Sequence, residues 1–158
     1  RLLCERSKFL ALNVQTNSTN FGYNVITKFP RADYICVDEL EARLAHHDRF
    51  SPLPPFAERI LKKMSARRVS ITLGKDGALL YESGRLIHVP AMPAEAIDTV
   101  GTGDAYLSIT APFAAAKIPL DLTGFIGAVA GSIASTILCN EKAVDFHHIQ
   151  GLVKEVFT

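Results

Sequence analysis

Apolar residues in this chain gather in short runs divided by polar, turn-rich stretches, and their spacing shifts from continuous to helical along its length. "KFLALNV" (8–14) predicts a buried strand, ended by the polar loop "QTNSTNFGYN". "ADYICVD" (32–38) predicts a second strand, and "ELEARLAHHDRF" then takes helical spacing, with Leu40 and Leu44 on one face. "SPLPPF" breaks the chain, and Pro54 and Pro55 suit the first turn of the helix "FAERILKKMSA". "RRVSITLG" is a third strand, and "GALLYESGRLIHVP" reads as a hairpin turning at Glu82, Ser83 and Gly84. Two long helical patterns, 103–116 and 121–138, part near Pro119. "DFHHIQGLVKEVF" closes the chain as an amphipathic helix with Asp145 as its N-cap. Strands alternating with helices predict an α/β fold with a mostly parallel sheet. With no internal repeat and no low-complexity linker, residues 1–158 read as a single domain.

Composition narrows this picture. At 158 residues, 48% hydrophobic and 21% charged, the chain has the makings of one packed core and not of a disordered segment. A net charge of +1 gives no electrostatic footprint for nucleic acid or an anionic membrane. Lys62, Lys63, Arg67 and Arg68 are expected on the solvent side of a helix end. Cys4, Cys36 and Cys139 lie far apart without a C-x-x-C pair, which suits reduced thiols in a cytoplasmic protein. Asn17-Ser18-Thr19 matches a glycosylation acceptor, but no secretory signal accompanies it. The most apolar run, 124–138, falls short of the ~18 to 20 residues of a membrane span and predicts a buried helix of small residues. The chain opens at Arg1 with no initiator Met, so it is expected either to be part of a longer polypeptide or to associate with a copy of itself.

Three stretches carry candidate chemistry. In "DTVGTGDAYLS" (98–108) two glycines bracket one residue and an aspartate follows as a helical pattern begins. Glycines permit sharp bends and close approach to a ligand, and a helix start offers unpaired amides and partial positive charge to an anion. An ordinary glycine turn fits these residues equally well. "TLGKDGALLY" (72–81) runs a strand into a Gly-x-x-Gly turn, where amides at a sheet's carboxyl edge can face a ligand, or simply close a tight turn. "DELE" (38–41) places Asp38 and Glu41 three apart, able to meet on one helix face and hold a magnesium ion, or to form a solvated helix start. Other signals are absent. Gly74-Lys75 runs into Asp76, which excludes a P-loop, and Tyr106 stands where a dinucleotide fingerprint needs its third glycine. H-E-x-x-H and G-x-S-x-G do not occur, and the pairs His46-His47 and His147-His148 are expected at the surface.

"DTVGTGDAYLS" resembles the D-T-x-G-A-G-D motif of the ribokinase, or PfkB-type, carbohydrate kinases. "ITLGKDGALL" resembles the strand and turn that precede that motif, and "DYICVDELEARL" the segment with the family's N-x-x-E motif, in the family's order. The resemblance spans most of the chain but only the family's C-terminal half; the Gly-rich sugar-binding motif and the β-sheet lid have no counterpart. It implies a ribokinase-like three-layer α/β fold, truncated on its N-terminal side, and transfer of a γ-phosphoryl group from ATP to a sugar hydroxyl. It implies Asp104 as the base and the amides of Gly101, Thr102 and Gly103 as an anion hole, Thr102 replacing the usual alanine. Asp98 and Thr99 would lie close to the phosphates, with Thr72, Gly74 and Gly77 in a nucleotide-side turn. Glu41 would organise Mg2+, with Asp38 where relatives carry asparagine. Helix 124–138 would flank adenine through Gly127 and Gly131, Gly127 replacing a frequent asparagine. A monovalent cation is a further implied ligand, and the isolated fragment is expected to be inactive. A different class fits Asp38, Gly127 and the missing sugar half: a non-catalytic nucleotide-binding or assembly domain of a larger sugar-pathway protein, a bifunctional one included.

Overall fold

The computed structural model describes residues 2–157. After the short helix α1 (Leu2–Arg6), the run 8–14 contributes only Ala11–Leu12 as a strand, β1, although Leu10 and Val14 beside it are buried. Strand β1 lies parallel to β2 (Tyr34–Asp38), and β2 parallel to β3 (Arg68–Thr72), in a register that sets Asp38 against Thr72. Strands β2 and β3 each bury four consecutive residues, as strands covered on both faces do. Strands β4 (Ala78–Glu82) and β5 (Arg85–Val89) complete a sheet in the order β1-β2-β3-β4-β5. Ser83 and Gly84 close their hairpin at φ 51° and 82°, the paired positive values that match a strand ribbon's twist. A two-residue loop joins antiparallel strands, so the sheet is mixed, parallel through β3.

Helices α2 (Glu39–His46) and α3 (Pro54–Met64) follow β2. Helix α3 opens on Pro54 and Pro55, where a missing N–H is harmless, and buries Phe56, Ala57, Ile60, Leu61 and Met64 as one stripe. It ends at Ser65 in the left-handed conformation. Together with α2 and the strands, it encloses a core that includes Ile26, Ile35, Val37, Val69 and Ile71. The expected helix forms, and its buried face is not the one that carries Leu40 and Leu44. Leu40 is exposed and Leu44 half-buried, whereas Glu41, Ala42 and Ala45 turn inward, because hydrogen bonds to the Glu41 carboxylate set the helix's rotation. His46 is not a surface histidine either. It stacks on Phe56 at 5.1 Å, and burial, the dominant influence, lowers its pKa.

Arg68 also departs from expectation. It is 3% exposed, and its guanidinium meets Glu82 at 2.7 Å, while the half-exposed Arg67 takes the other carboxylate oxygen at 2.7 Å. Burial alone would raise the Glu82 pKa, but the hydrogen bonds and charges of Arg68 and Arg67 hold it below the usual glutamate range. Stability from this group is therefore present above the unfolded value of about 4.3 and fades as pH falls through the lowered folded value. Glu82→Gln at neutral pH removes the carboxylate charge that faces the buried Arg68 and should cost about 3 kcal/mol in urea denaturation. A loss below about 1 kcal/mol would show that other groups compensate Arg68.

Contacts divide the molecule into two compact units, one through Leu73 together with Leu79–His88, the other Gly74–Ala78 together with the chain from Val89. The second unit holds α4 (Thr102–Ala115), α5 (Leu120–Ser135) and α6 (Phe146–Phe157), with α5 packed on both others. Asp145 caps α6, accepting from the His148 amide at 2.9 Å. Helix α5 is shorter than its sequence pattern: it ends at Ser135, and Leu138–Asn140 form a 3-10 turn with Cys139 at φ 49°. Gly127 is where α4 and α5 come closest, since an added Cβ would lie 2.5 Å from the Tyr106 ring and 2.7 Å from Thr110. Gly127→Ala should therefore cost about 1–3 kcal/mol through overpacking, read as a shift in denaturation midpoint. Gly131 faces open space, and Gly131→Ala should leave stability unchanged or slightly raised. Equal losses at the two positions would contradict this packing. Among the described residues no helix is long and apolar enough to cross a membrane.

Candidate functional site

In the first unit, the end of β2 passes directly into α2, so Asp38 is both the last strand residue and the N-cap. Its Oδ1 accepts from the Glu41 amide at 2.7 Å, and Glu41 Oε2 accepts from the Asp38 amide at 3.0 Å, a reciprocal capping box. Glu41 Oε1 accepts from the Thr16 amide at 3.0 Å, which ties the polar loop after β1 to the start of α2. Glu41 is only 7% exposed. The pair that sequence spacing offers to a magnesium ion is thus brought together as a helix cap, with both Glu41 oxygens receiving backbone N–H groups. Among the described residues no group of three or more His, Cys, Asp or Glu side chains is placed to hold a metal. Thr72 is half-buried and lies beside Asp38 at the carboxyl end of the adjacent parallel strand, so these two sequence-predicted positions do share one sheet edge. Thr16 escaped sequence reasoning because it contributes through its backbone, 25 residues from Glu41.

In the second unit, Gly74–Asp76 form a 3-10 turn, and the Gly77 amide donates to the Gly74 carbonyl at 3.1 Å. Gly74 takes φ 59° with no atom near its absent Cβ, whereas Gly77 at φ 90° presses against the Val89–Ala91 backbone. Gly77 therefore serves the chain's own close packing.

The segment 97–104 is built from both ends of that unit's helices. The amides of Ile97 and Asp98 both donate to the Ser135 carbonyl, at 2.8 and 3.0 Å, which anchors the segment to the end of α5. The Asp98 carboxylate accepts from the Val100 amide at 2.9 Å and from the Cys139 amide at 3.0 Å. Those bonds, Val100 first, hold its pKa below the usual carboxylate range. Gly101 then turns the chain at φ 83°, a left-handed value that favours glycine, and α4 begins at Thr102. The Thr102 amide and hydroxyl both bend back to the Thr99 carbonyl, at 3.3 and 2.9 Å. Of the three amides in the expected anion hole, that of Thr102 donates within the turn. The first helical bond runs from the Ala105 amide to the Gly101 carbonyl at 2.9 Å, so the amides of Gly103 and Asp104 precede the ladder. The Asp104 side chain is exposed on the first turn of this 14-residue helix. Helix polarity, backbone N–H groups and one carboxylate thus converge at a single exposed point. Gly127 owes its lack of a side chain to Tyr106 and Thr110, while Gly131 leaves open space on the surface of α5.

Residues 6–136 match the model of the pfkB family carbohydrate kinases. The chain is 26% identical over 109 residues to a 2-dehydro-3-deoxygalactonokinase of Haloferax volcanii, covering 69% of this chain and 34% of that protein. It is 36% identical over 74 residues to a ribokinase of Lactococcus lactis, covering 47% of this chain and 22% of the relative. Among solved structures, ribokinase from Thermotoga maritima superposes with a TM-score of 0.69 at 22% identity, covering 78% of this chain and 42% of that one. Phosphofructokinase-2 from Escherichia coli in complex with potassium gives 0.72 at 21% identity, with coverage of 84% and 43%. These likenesses show a shared α/β fold, and the chain spans about a third or less of the two curated relatives and about two fifths of the two structures. With most of its length under the family model, this chain belongs to the pfkB family of carbohydrate kinases.

Proposed function

We propose that this chain supplies the nucleotide-side and catalytic elements of an ATP-dependent kinase that phosphorylates a sugar hydroxyl. The observation that carries the reading is the start of α4, where a left-handed Gly101 delivers early helix amides and the exposed Asp104 to one place. Phosphoryl transfer asks little covalent chemistry of a protein and much positioning and charge stabilisation. Asp104 acts as the base that takes the proton of the attacking hydroxyl. The amides at the helix start, Gly103 foremost, receive charge that builds on the transferred group. Asp38 and Glu41 enter this scheme as the cap that fixes the β2–α2 junction beside Thr72. The open surface at Gly131 fits a flat base against α5, so Gly131→Leu is expected to weaken ATP binding without destabilising the fold.

A panel of pentoses, hexoses and their deoxy acids, offered with Mg-ATP to the intact protein while ADP release is followed, tests the reading. Sustained ADP release with at least one sugar is expected. Calorimetric binding of Mg-ATP with no turnover across the panel would instead favour a nucleotide-binding assembly domain, the reading to which the sequestered Glu41 carboxylate lends weight.

A further inference from the structure

We propose that the cleft between the end of α3 and the β4–β5 hairpin binds a small phosphate monoester carried on a flat apolar body. The cleft has a volume of about 330 Å³ and lies wholly within the first unit. Leu61, Ala66 and Tyr81 give it apolar surface, Lys62 and Arg67 supply two cations, and Ser83 at the hairpin turn adds a hydroxyl. Apolar lining with a few polar groups that fix orientation is the make-up of a small-molecule site. Strand β3 separates this cleft from the chemistry proposed above. Arg67 precedes the first residue of β3 and Thr72 is the last, so about 16 Å of extended chain lies between the cleft and the sheet edge at Asp38 and Thr72. The cleft therefore does not depend on the kinase reading.

Charge selects the ligand. Glu82 carries one negative charge and is shared by two guanidinium groups, Arg67 and Arg68, each at 2.7 Å, so it neutralises at most one of them. A guanidinium has five N–H donors, and the bond from Arg67 to Glu82 uses the one on Nε. The two terminal NH2 groups of an arginine form the fork that receives phosphate oxygens in pairs. Lys62 Nζ meets Glu58 Oε1 at 2.8 Å, but with the two side chains 74% and 50% exposed this pair opens at small cost. Carbonyls at the end of α3 that would oppose an anion are already used, those of Leu61 and Lys62 accepting from the Ala66 and Ser65 amides. A phosphate monoester brings about two negative charges and three acceptor oxygens, which match Lys62, Arg67 and the Ser83 hydroxyl. A carboxylate brings one charge for two cations.

Calorimetric titration of the intact protein at low ionic strength, with phenyl phosphate, inorganic phosphate and phenol as probes, tests the site. Phenyl phosphate is expected to bind at least about tenfold more tightly than either of the others, because it alone joins the dianion to an apolar ring. Saturating Mg-ATP should leave its affinity unchanged within about twofold, as for two uncoupled sites. Lys62→Met and Arg67→Met should each weaken it about tenfold, the equivalent of one charge-assisted hydrogen bond. Glu58→Gln, which removes the competing carboxylate, should tighten it about two- to fivefold, the worth of an exposed ion pair. Lys62 is exposed, so Lys62→Met carries the comparison if Arg67→Met does not fold. Absence of phenyl phosphate binding, affinity unchanged in the Lys62 variant, displacement by Mg-ATP, or inorganic phosphate binding as tightly as phenyl phosphate would each overturn the proposal.

Discussion

Asp104→Asn in the intact protein is expected to lower turnover by about 10²–10⁴-fold, the range a positioned general base contributes, while Mg-ATP affinity stays within about threefold. The substitution keeps size and shape while removing the negative charge and the ability to accept a proton. Asp104 is exposed on the first turn of α4. Its favourable interaction with the helix dipole is worth at most about 1 kcal/mol at an exposed site, too little to unfold the unit. Turnover measured beside calorimetric ATP binding separates the two effects. Loss of both together would place Asp104 in ground-state binding, and retention of turnover would remove it from the chemistry.

Gly77→Ala should be among the most destabilising substitutions in the chain, at about 3 kcal/mol. Two penalties combine. A left-handed backbone costs a residue with a Cβ about 1–2 kcal/mol, and forcing an atom into packed backbone costs about 1–3 more. The added carbon would lie 2.0 Å from the Val89 carbonyl oxygen and 2.7 Å from the Ala91 amide nitrogen, and backbone yields less readily than a side-chain tip. Gly74→Ala is the internal control. It shares a positive φ, at 59°, but meets open space, so only the first penalty applies, about 1 kcal/mol. Denaturation midpoints of the two variants test the difference directly. Equal losses would mean that contact with Val89–Ala91 contributes nothing.

Much of the fold was legible in local pattern. Strands β2 and β3 are continuous apolar runs, and α3 announces itself through Pro54, Pro55 and a stripe of helical period, so neither depends on distant partners. Strand β1 is shorter than its apolar run because a strand's length is set by the neighbour it pairs with, here only at Tyr34 and Ile35. The inward turn of Glu41 was readable in principle. D-x-x-E is a capping-box spacing, and the same spacing suggests a metal pair until the partners of each oxygen are known. Arg68 looked like surface charge because Glu82, 14 residues on, becomes its partner only when β4 joins the sheet.

The candidate site divides in the same way. Gly101 at a left-handed helix start and Asp104 on the first turn follow from "GTGD" followed by a helical pattern. The hydrogen bonds of Asp98 do not, since Val100 and Cys139 are tied to it by backbone amides that carry no residue identity. Gly127 shows how packing hides from local pattern. A small residue on an apolar helix suggests room for a ligand, but Tyr106 and Thr110, on the neighbouring helix, occupy that room.

The central claim is that the start of α4 directs a phosphoryl group to a sugar. It is tested most directly by following the γ-phosphoryl group itself, with γ-labelled ATP, the intact protein and the sugar panel, for wild type and Asp104→Asn side by side. The account predicts label in a sugar phosphate with wild type and about 10²-fold or more less with the variant. Label that remains in ATP, or that appears in sugar phosphate equally with both proteins, would contradict it.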